Sequence, residues 1–102
     1  MPSAVWAPKA ENDLEGILHY FRVTDGHPLT AQRIGRGIVD VADQQASLAS
    51  SGLMHLAAPA EWRYVRHKRW LIFYQPHADG IEIMRVVDGV RDLPRALADP
   101  LD

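Results

Sequence analysis

Two strongly apolar runs in the second half of the chain dominate its pattern. They cover residues 70–74 and 81–87, and an Ala-Asp-Gly segment at residues 78–80 lies between them. Runs of this length, rich in aromatic and β-branched residues and separated by a turn sequence, are typical of a β-hairpin. Side chains alternate between the two faces of a strand, so both faces of this predicted hairpin are apolar.

The first half of the chain has a helical period instead. Apolar residues recur every three or four positions from residue 10 to residue 21, which predicts a first helix that ends at residues 25–28. A second apolar stripe predicts a helix from about residue 28 to about residue 49. Gly35 and Gly37 lie inside it, and each costs roughly 1 kcal/mol relative to alanine. Close approach of a neighbouring helix would compensate for them, so we predict an antiparallel helical hairpin.

Short strands and a final helix complete the predicted order. The pattern places strands at residues 3–7, 62–66, 69–75 and 81–88, with Pro76 ending the third, and a helix over residues 92–98. The resulting order, β-α-α-β-β-β, is that of an α+β domain. We expect a helical hairpin packed on one face of a small antiparallel sheet, followed by a short C-terminal helix. A chain of 102 residues is expected to form a single domain over residues 1–102.

The apolar character of both sheet faces predicts a surface for a protein partner. Two helices can cover only one face of a small sheet, and large exposed apolar patches usually mark partner sites. We therefore expect the second face to stay exposed in the isolated chain. The alternative is that the terminal helix or the loop from Leu53 to Leu56 covers it. Within that loop, Leu53, Met54 and Leu56 are expected to lie against the body of the domain.

Composition and charge narrow the classes of function. A net charge of −2 argues against a generic nucleic-acid binder, but residues 62–95 carry seven Lys/Arg against four Asp/Glu, so a phosphate or carboxylate partner stays open there. The absence of cysteine excludes disulfides and thiolate metal sites. The chain has no run of roughly 20 apolar residues and no secretory pattern at its N-terminus. We expect a cytoplasmic protein with no membrane partner.

Arg85 is the sharpest departure from the apolar pattern. Strict alternation places it on the strand face of Ile81 and Ile83. A charge in that position must be paired, lie at an open sheet edge or serve a ligand. Two interpretations stay open, namely a structural ion pair with Asp88 or Asp92 and a functional contact.

Other site chemistries have little support in the sequence. The five histidines form no HxH, HxxxH or HExxH motif, and the chain has neither a glycine-rich phosphate loop nor a GxSxG nucleophile elbow. We therefore expect no metal site, no cofactor and no serine or cysteine nucleophile.

Together, these residues resemble those of the RelE/ParE superfamily of toxins from bacterial type II toxin-antitoxin modules, and more closely its ParE branch. The similarity covers nearly the whole chain. It begins with WAPxAxxDLxxIxxY at residues 6–20, continues with Arg63 and WLIFY at residues 70–74, and ends with GIEIMRVVDGVRDL at residues 80–93. The last block is the most specific, because the strand, the turn and the RVxxGxRD ending occur together in order.

The resemblance implies a toxin that a cognate antitoxin holds inactive by burying an apolar stripe. ParE-like members are implied to poison DNA gyrase, and RelE-like members to cut messenger RNA on the ribosome. Cleavage by a 2′-hydroxyl needs a base and an acid, and RelE-like nucleases usually carry His or Tyr near the C-terminus. Residues 91–97 contain neither, and arginine does not exchange protons readily. We therefore favour a non-enzymatic poison that binds gyrase.

The implied site residues fall into three sets. The target-binding set is Arg63, Arg69, Arg85 and Arg91. If the chain is instead a ribosome-dependent mRNA endoribonuclease, the candidate catalytic set is Arg63, His67, Lys68, Arg69 and Arg85. The antitoxin-binding set is Trp70, Leu71, Ile72, Phe73, Met84 and Val86. A third interpretation is a non-toxic interaction module of the same fold, so a homodimer and a toxin-antitoxin hetero-oligomer are both expected assemblies.

Overall fold

The structure, a computed structural model, describes residues 2–89 and 93–97. The elements in chain order are β1 (Ala4–Trp6), α1 (Pro8–His19), α2 (Pro28–Gln45), β2 (Arg63–His67), β3 (Trp70–His77), β4 (Gly80–Asp88) and α3 (Leu93–Leu97). A π-helical turn, Tyr20–Thr24, extends α1, and a 3₁₀ turn, Ala46–Ser51, follows α2. The predicted order and the C-terminal helix are confirmed. Within the described residues, no helix is both long and apolar enough to cross a bilayer.

The strands form one sheet in the order β1-β4-β3-β2. Strands β2, β3 and β4 make the predicted antiparallel meander, whereas β1 runs parallel to β4 from Ala4↔Ile81 to Trp6↔Ile83. The α+β class is confirmed, but the sheet is mixed and not wholly antiparallel. Parallel strands need a long connection, and here the helices and the meander together separate β1 from β4.

The turn between β3 and β4 differs in detail from the predicted one. His77 pairs with Gly80, so the two loop residues are Ala78 and Asp79. Ala78 has a φ of 51°, and a positive φ at the first loop residue is a feature of the primed turns that close two-residue hairpins. Gly80 has another role: a Cβ there would clash with the backbone of Ser3 in the parallel pairing.

Pro76 does not end β3 as predicted. It lies inside the strand and pairs with Ile81. Strand β2 pairs with β3 only as far as Tyr74, so this end of β3 has an open edge. Proline is tolerated at such an edge because its missing N–H leaves no ladder partner unsatisfied.

The two helices cover one face of the sheet, as predicted. The buried cluster on this side consists of Ala10, Ile38, Ala42, Ala46, Trp70, Ile72, Tyr74, Ile81, Ile83 and Val86. The expected helix contact at Gly35 is present, because a Cβ there would lie 2.8 Å from Cδ2 of Leu18 on α1. Gly37 instead faces the imidazole of His67 on β2. One of the two glycines is therefore explained by helix packing and the other by contact with the sheet.

A β-bulge at Met84 changes which side chains of β4 share a face. Phe73 pairs with Arg85 and Tyr74 pairs with Ile83, which leaves Met84 as the extra residue. Side chains after the bulge are therefore exchanged between the faces relative to strict alternation. The prediction that Arg85 shares a face with Ile83 is wrong for this reason.

The second face of the sheet is also covered. Leu71, Phe73 and Val87 are buried there together with Leu93 of α3. The partly buried residues packed against this cluster are Ala57, Ala58, Trp62, Tyr64, Ala96 and Leu97. The expectation of an exposed sheet face is therefore wrong. Cover by the terminal helix, one of the two alternatives, is confirmed, whereas the loop contributes Ala57 and Ala58 and not the predicted segment from Leu53 to Leu56.

The loop side chains that were expected to pack inwards are exposed instead. Leu53, Met54 and Leu56 are 62%, 61% and 106% exposed, and Leu48 in the preceding 3₁₀ turn is 55% exposed. The backbone of Leu53 exchanges two hydrogen bonds with Tyr64, at 3.0 and 2.7 Å, which holds the loop beside the edge strand β2. We call Leu53, Met54 and Leu56 the apolar ridge.

Candidate functional site

A groove of about 960 Å³ runs between α1, the end of β4 and α3. Its polar lining includes Asp13 from α1, Arg69 from the β2–β3 turn, and Arg85 and Asp88 from β4. Arg95 of α3 also lines it, next to apolar side chains such as Ile17, Phe21 and Trp70. We call it the α1–β4 groove. Two residues of the predicted target-binding set, Arg69 and Arg85, meet in this groove.

Arg85 is tied down inside the groove by Asp13. Its Nε donates to Asp13 Oδ2 at 2.7 Å, and its Nη2 donates to Oδ1 at 3.1 Å. Nη1 donates to the carbonyl oxygen of Ala96 at 3.2 Å. The Arg85 side chain is 8% exposed and that of Asp13 is 17% exposed. The sequence left a structural ion pair and a functional contact open for Arg85, and the partners it suggested, Asp88 and Asp92, did not include Asp13, 72 residues away.

The end of β1 explains why a carboxylate is needed at this point. The pairing of β1 with β4 ends at Trp6 and Ile83. Beyond Ile83, the backbone N–H groups of β4 that point away from β3 therefore have no neighbouring strand. Asp13 Oδ2 accepts the Val86 N–H at 2.9 Å and so takes the place of a strand partner. The same carboxylate thus joins α1 to the sheet edge and neutralises Arg85.

Arg69 is held at the other side of the groove by Asp88. Its Nε donates to Asp88 Oδ2 at 3.0 Å, and its Nη2 donates to the same oxygen. The guanidinium carbon lies 5.0 Å from the ring centre of Trp70, within cation–π range. The hydrogen bonds to Asp88 raise the pKa of Arg69 above its ordinary value. Arg69 remains 55% exposed, so it is positioned by the protein and still accessible.

The remaining predicted polar residues lie elsewhere. Arg63 donates from Nη1 to the carbonyl oxygen of Gly52 at 3.0 Å, beside the apolar ridge. His67 and Lys68 line a separate cleft that adjoins the groove and also contains Arg69. Arg91 lies outside the described residues, as does Asp92, one of the ion-pair partners proposed for Arg85. The five residues of the nuclease set are therefore distributed over three places.

Arg95 is the exposed groove arginine that sequence reasoning missed. It lies on the five-residue helix α3, which lies over the second sheet face through Leu93. A lone arginine in a short terminal helix has no pattern that would single it out. Only the tertiary position of α3 brings Arg95 beside Arg69 and Arg85.

The predicted antitoxin-binding residues are mostly core residues. Trp70, Leu71, Ile72, Phe73 and Val86 are between 0% and 7% exposed, and Met84, at the bulge, is partly buried. These side chains stabilise the domain and offer little free surface in this conformation. Among the described residues after residue 52, the large hydrophobic side chains that are exposed are those of Leu53, Met54 and Leu56.

The groove presents charged groups that are suited to binding. Its carboxylates accept hydrogen bonds from arginine, and arginine stays protonated under all ordinary conditions. What the described lining presents to a partner is a guanidinium surface, from Arg69 and Arg95, over apolar walls. Such a surface can form bidentate hydrogen bonds with carboxylates and phosphates.

Comparisons with known proteins agree with this fold. A family model described as "ParE toxin of type II toxin-antitoxin system, parDE" matches residues 4–93. A chain in the solved structure of the "Chromosomal ParDE TA system from P. aeruginosa" is similar to this one, with a TM-score of 0.70 and 22% sequence identity. The match covers 86% of this chain and 96% of the other. The search of curated proteins gives no match.

Proposed function

We propose a function from the premise that the chain belongs to the ParE toxin family of type II toxin-antitoxin systems. In this proposal, the chain inhibits DNA gyrase by binding it, acts in the cytoplasm, and is neutralised by a cognate antitoxin. The observation that carries the proposal is the α1–β4 groove, where fixed arginines line an open surface of the family's fold.

The distribution of the arginines supports binding over cleavage. Asp13 holds Arg85 almost fully buried, so Arg85 shapes the groove from beneath. Arg69 and Arg95 are exposed and can reach a partner. Arg63 lies outside the groove lining, beside the apolar ridge. It could contact the same target only if that target covers both the groove and the ridge. We therefore assign the main target contacts to Arg69 and Arg95, and Arg91 remains a predicted contact.

The antitoxin is proposed to dock on the apolar ridge. Leu53, Met54 and Leu56 are each more than half exposed, and burial of one leucine side chain contributes about 1.5–3 kcal/mol. The ridge lies beside the edge strand β2, whose outer backbone groups beyond the Tyr64–Leu53 bridge can pair with an added segment. An amphipathic antitoxin tail would satisfy both features. This replaces the buried sheet residues as the proposed docking surface.

Plasmid topology in induced cells tests the proposed target. Induction should arrest growth and relax resident plasmids on chloroquine gels, while messenger RNAs stay intact. Arg95→Glu should weaken both effects, whereas Arg22→Glu, at an exposed arginine outside the groove lining, should not. Co-expression of the antitoxin, which is expected to be a small protein encoded by the adjacent reading frame, should restore growth. Cleaved messages with unchanged plasmid topology would contradict the gyrase proposal and favour the ribonuclease.

A further inference from the structure

A second, smaller cleft lies between α2 and the β2–β3 turn. Its volume is about 250 Å³, and it adjoins the α1–β4 groove because the two share part of their lining. The residues that line it are Phe21, Thr30, Arg33, Ile34, His67, Lys68, Arg69 and Trp70. Four of these can carry positive charge and none is acidic. We call it the basic cleft.

The basic cleft differs from the groove because most of its cationic side chains are not paired with a carboxylate. In the groove, Arg85 is held by Asp13, and Arg69, which lines both the groove and the basic cleft, is held by Asp88. In the basic cleft, the side chains of Arg33, His67 and Lys68 make no hydrogen bond or ion pair with any residue in the described ranges. Positive groups that converge without a counter-charge repel one another, and an anion among them removes that repulsion.

The fold, and not chance surface charge, brings these groups together. His67 and Lys68 lie at a two-residue turn, because His67 pairs directly with Trp70. Lys68 has a φ of 56°, which fixes an unusual backbone conformation at the turn. Across the cleft, Gly37 leaves room for the imidazole of His67, since a Cβ there would clash with its Nε2. The cations of two distant chain segments therefore meet over an apolar floor.

We propose that the basic cleft binds a phosphodiester group of a nucleic-acid backbone. Guanidinium and ammonium donors that approach from both sides suit a tetrahedral phosphate better than a planar carboxylate. Exposed Arg36 lies three residues after Arg33 on α2, so it can contact a neighbouring phosphate along a strand. The net charge of −2 means that any attraction to nucleic acid must come from such a local patch. This inference does not rest on the proposed gyrase target.

Fluorescence anisotropy with a labelled 30-base-pair DNA duplex of mixed sequence tests the proposal. The wild-type chain is compared with the double variant Arg33→Gln/Lys68→Gln at several salt concentrations. Removal of two phosphate contacts should weaken binding about tenfold at 50 mM salt and reduce the salt slope by about 1 for each contact. The double variant Lys9→Gln/Arg22→Gln has the same net charge and alters no lining residue of the cleft. It should bind like the wild type.

Each outcome of this titration decides the question. Equal losses in both double variants would overturn the proposal, because net charge and not a site would then govern binding. Absence of binding by the wild type at 50 mM salt would also overturn it. So would equally tight binding of a polyglutamate peptide of similar charge, which would indicate an acidic protein partner. Far-ultraviolet circular dichroism is the control for folding of each variant. Because Arg33 and Lys68 are exposed, we expect their substitution to leave the spectrum unchanged.

Discussion

Substitution of Arg85 should test whether this residue is a structural part of the groove. Arg85→Met keeps much of the side-chain volume but removes the hydrogen bonds to Asp13 and Ala96. Breaking a buried ion pair by removing one partner costs about 3–5 kcal/mol. Asp13 still accepts the Val86 N–H in the variant and is 17% exposed, so we expect a loss at or just below the lower end of that range, about 2–3 kcal/mol.

Urea unfolding measures this effect through the midpoint and the slope. Arg22→Met is the matched control, because Arg22 pairs with Glu15 at 3.4 Å on the surface and such pairs contribute about 0–1 kcal/mol. A double-mutant cycle with Asp13→Asn should give a coupling energy of about 1–3 kcal/mol. If Arg85→Met lowers the free energy of unfolding no more than Arg22→Met does, the structural role argued for Arg85 is refuted.

Three further variants test other parts of the fold and the proposed docking surface. Tyr74→Phe removes a buried hydroxyl that donates to the Ala49 carbonyl at 3.0 Å, and thermal unfolding should show a loss of about 1–2 kcal/mol; an unchanged melting temperature would contradict this. Ala78→Gly relieves the cost of a positive φ of 51° at a residue with a Cβ, so urea denaturation should show a free energy of unfolding higher by about 0.5–1 kcal/mol. A lower midpoint of urea unfolding would contradict the turn assignment. The double variant Leu53→Ser/Leu56→Ser should bind the antitoxin at least about thirtyfold more weakly in calorimetry, with an unchanged free energy of unfolding. Unaltered affinity would exclude the apolar ridge as the docking surface.

The main elements could be predicted because their signals are local. Helical periodicity identified α1 and α2, and Gly35 correctly indicated a close helix contact. The apolar runs identified β3 and β4 with nearly their observed limits. These features depend on residues that are close together in sequence, so they can be predicted from the amino-acid sequence of one chain.

Features that depend on strand register could not be predicted in the same way. The bulge at Met84 results from the pairing of β4 with β3 and reverses the alternation after it. Cover of the second sheet face by small residues such as Ala57 and Ala58 has no periodic signal. The exposed leucines of the adjacent loop follow from its backbone bridge to Tyr64, which is a tertiary contact.

The candidate site was predictable in part. Arg69 and Arg85 stood out because they interrupt or flank apolar strands, and both line the groove. Asp13 and Arg95 were missed, since a carboxylate in the early part of a helix and an arginine in a short helix are ordinary surface residues in a sequence. Only the end of β1 and the position of α3 make them part of the site.

Gyrase supercoiling in vitro tests the central claim most directly. The purified chain is titrated into a reaction with gyrase, ATP and relaxed plasmid, up to a large molar excess over enzyme. We predict progressive loss of supercoiled product, with Arg95→Glu shifting the inhibition curve to higher concentration. Undiminished supercoiling at a large excess of folded chain would contradict the account.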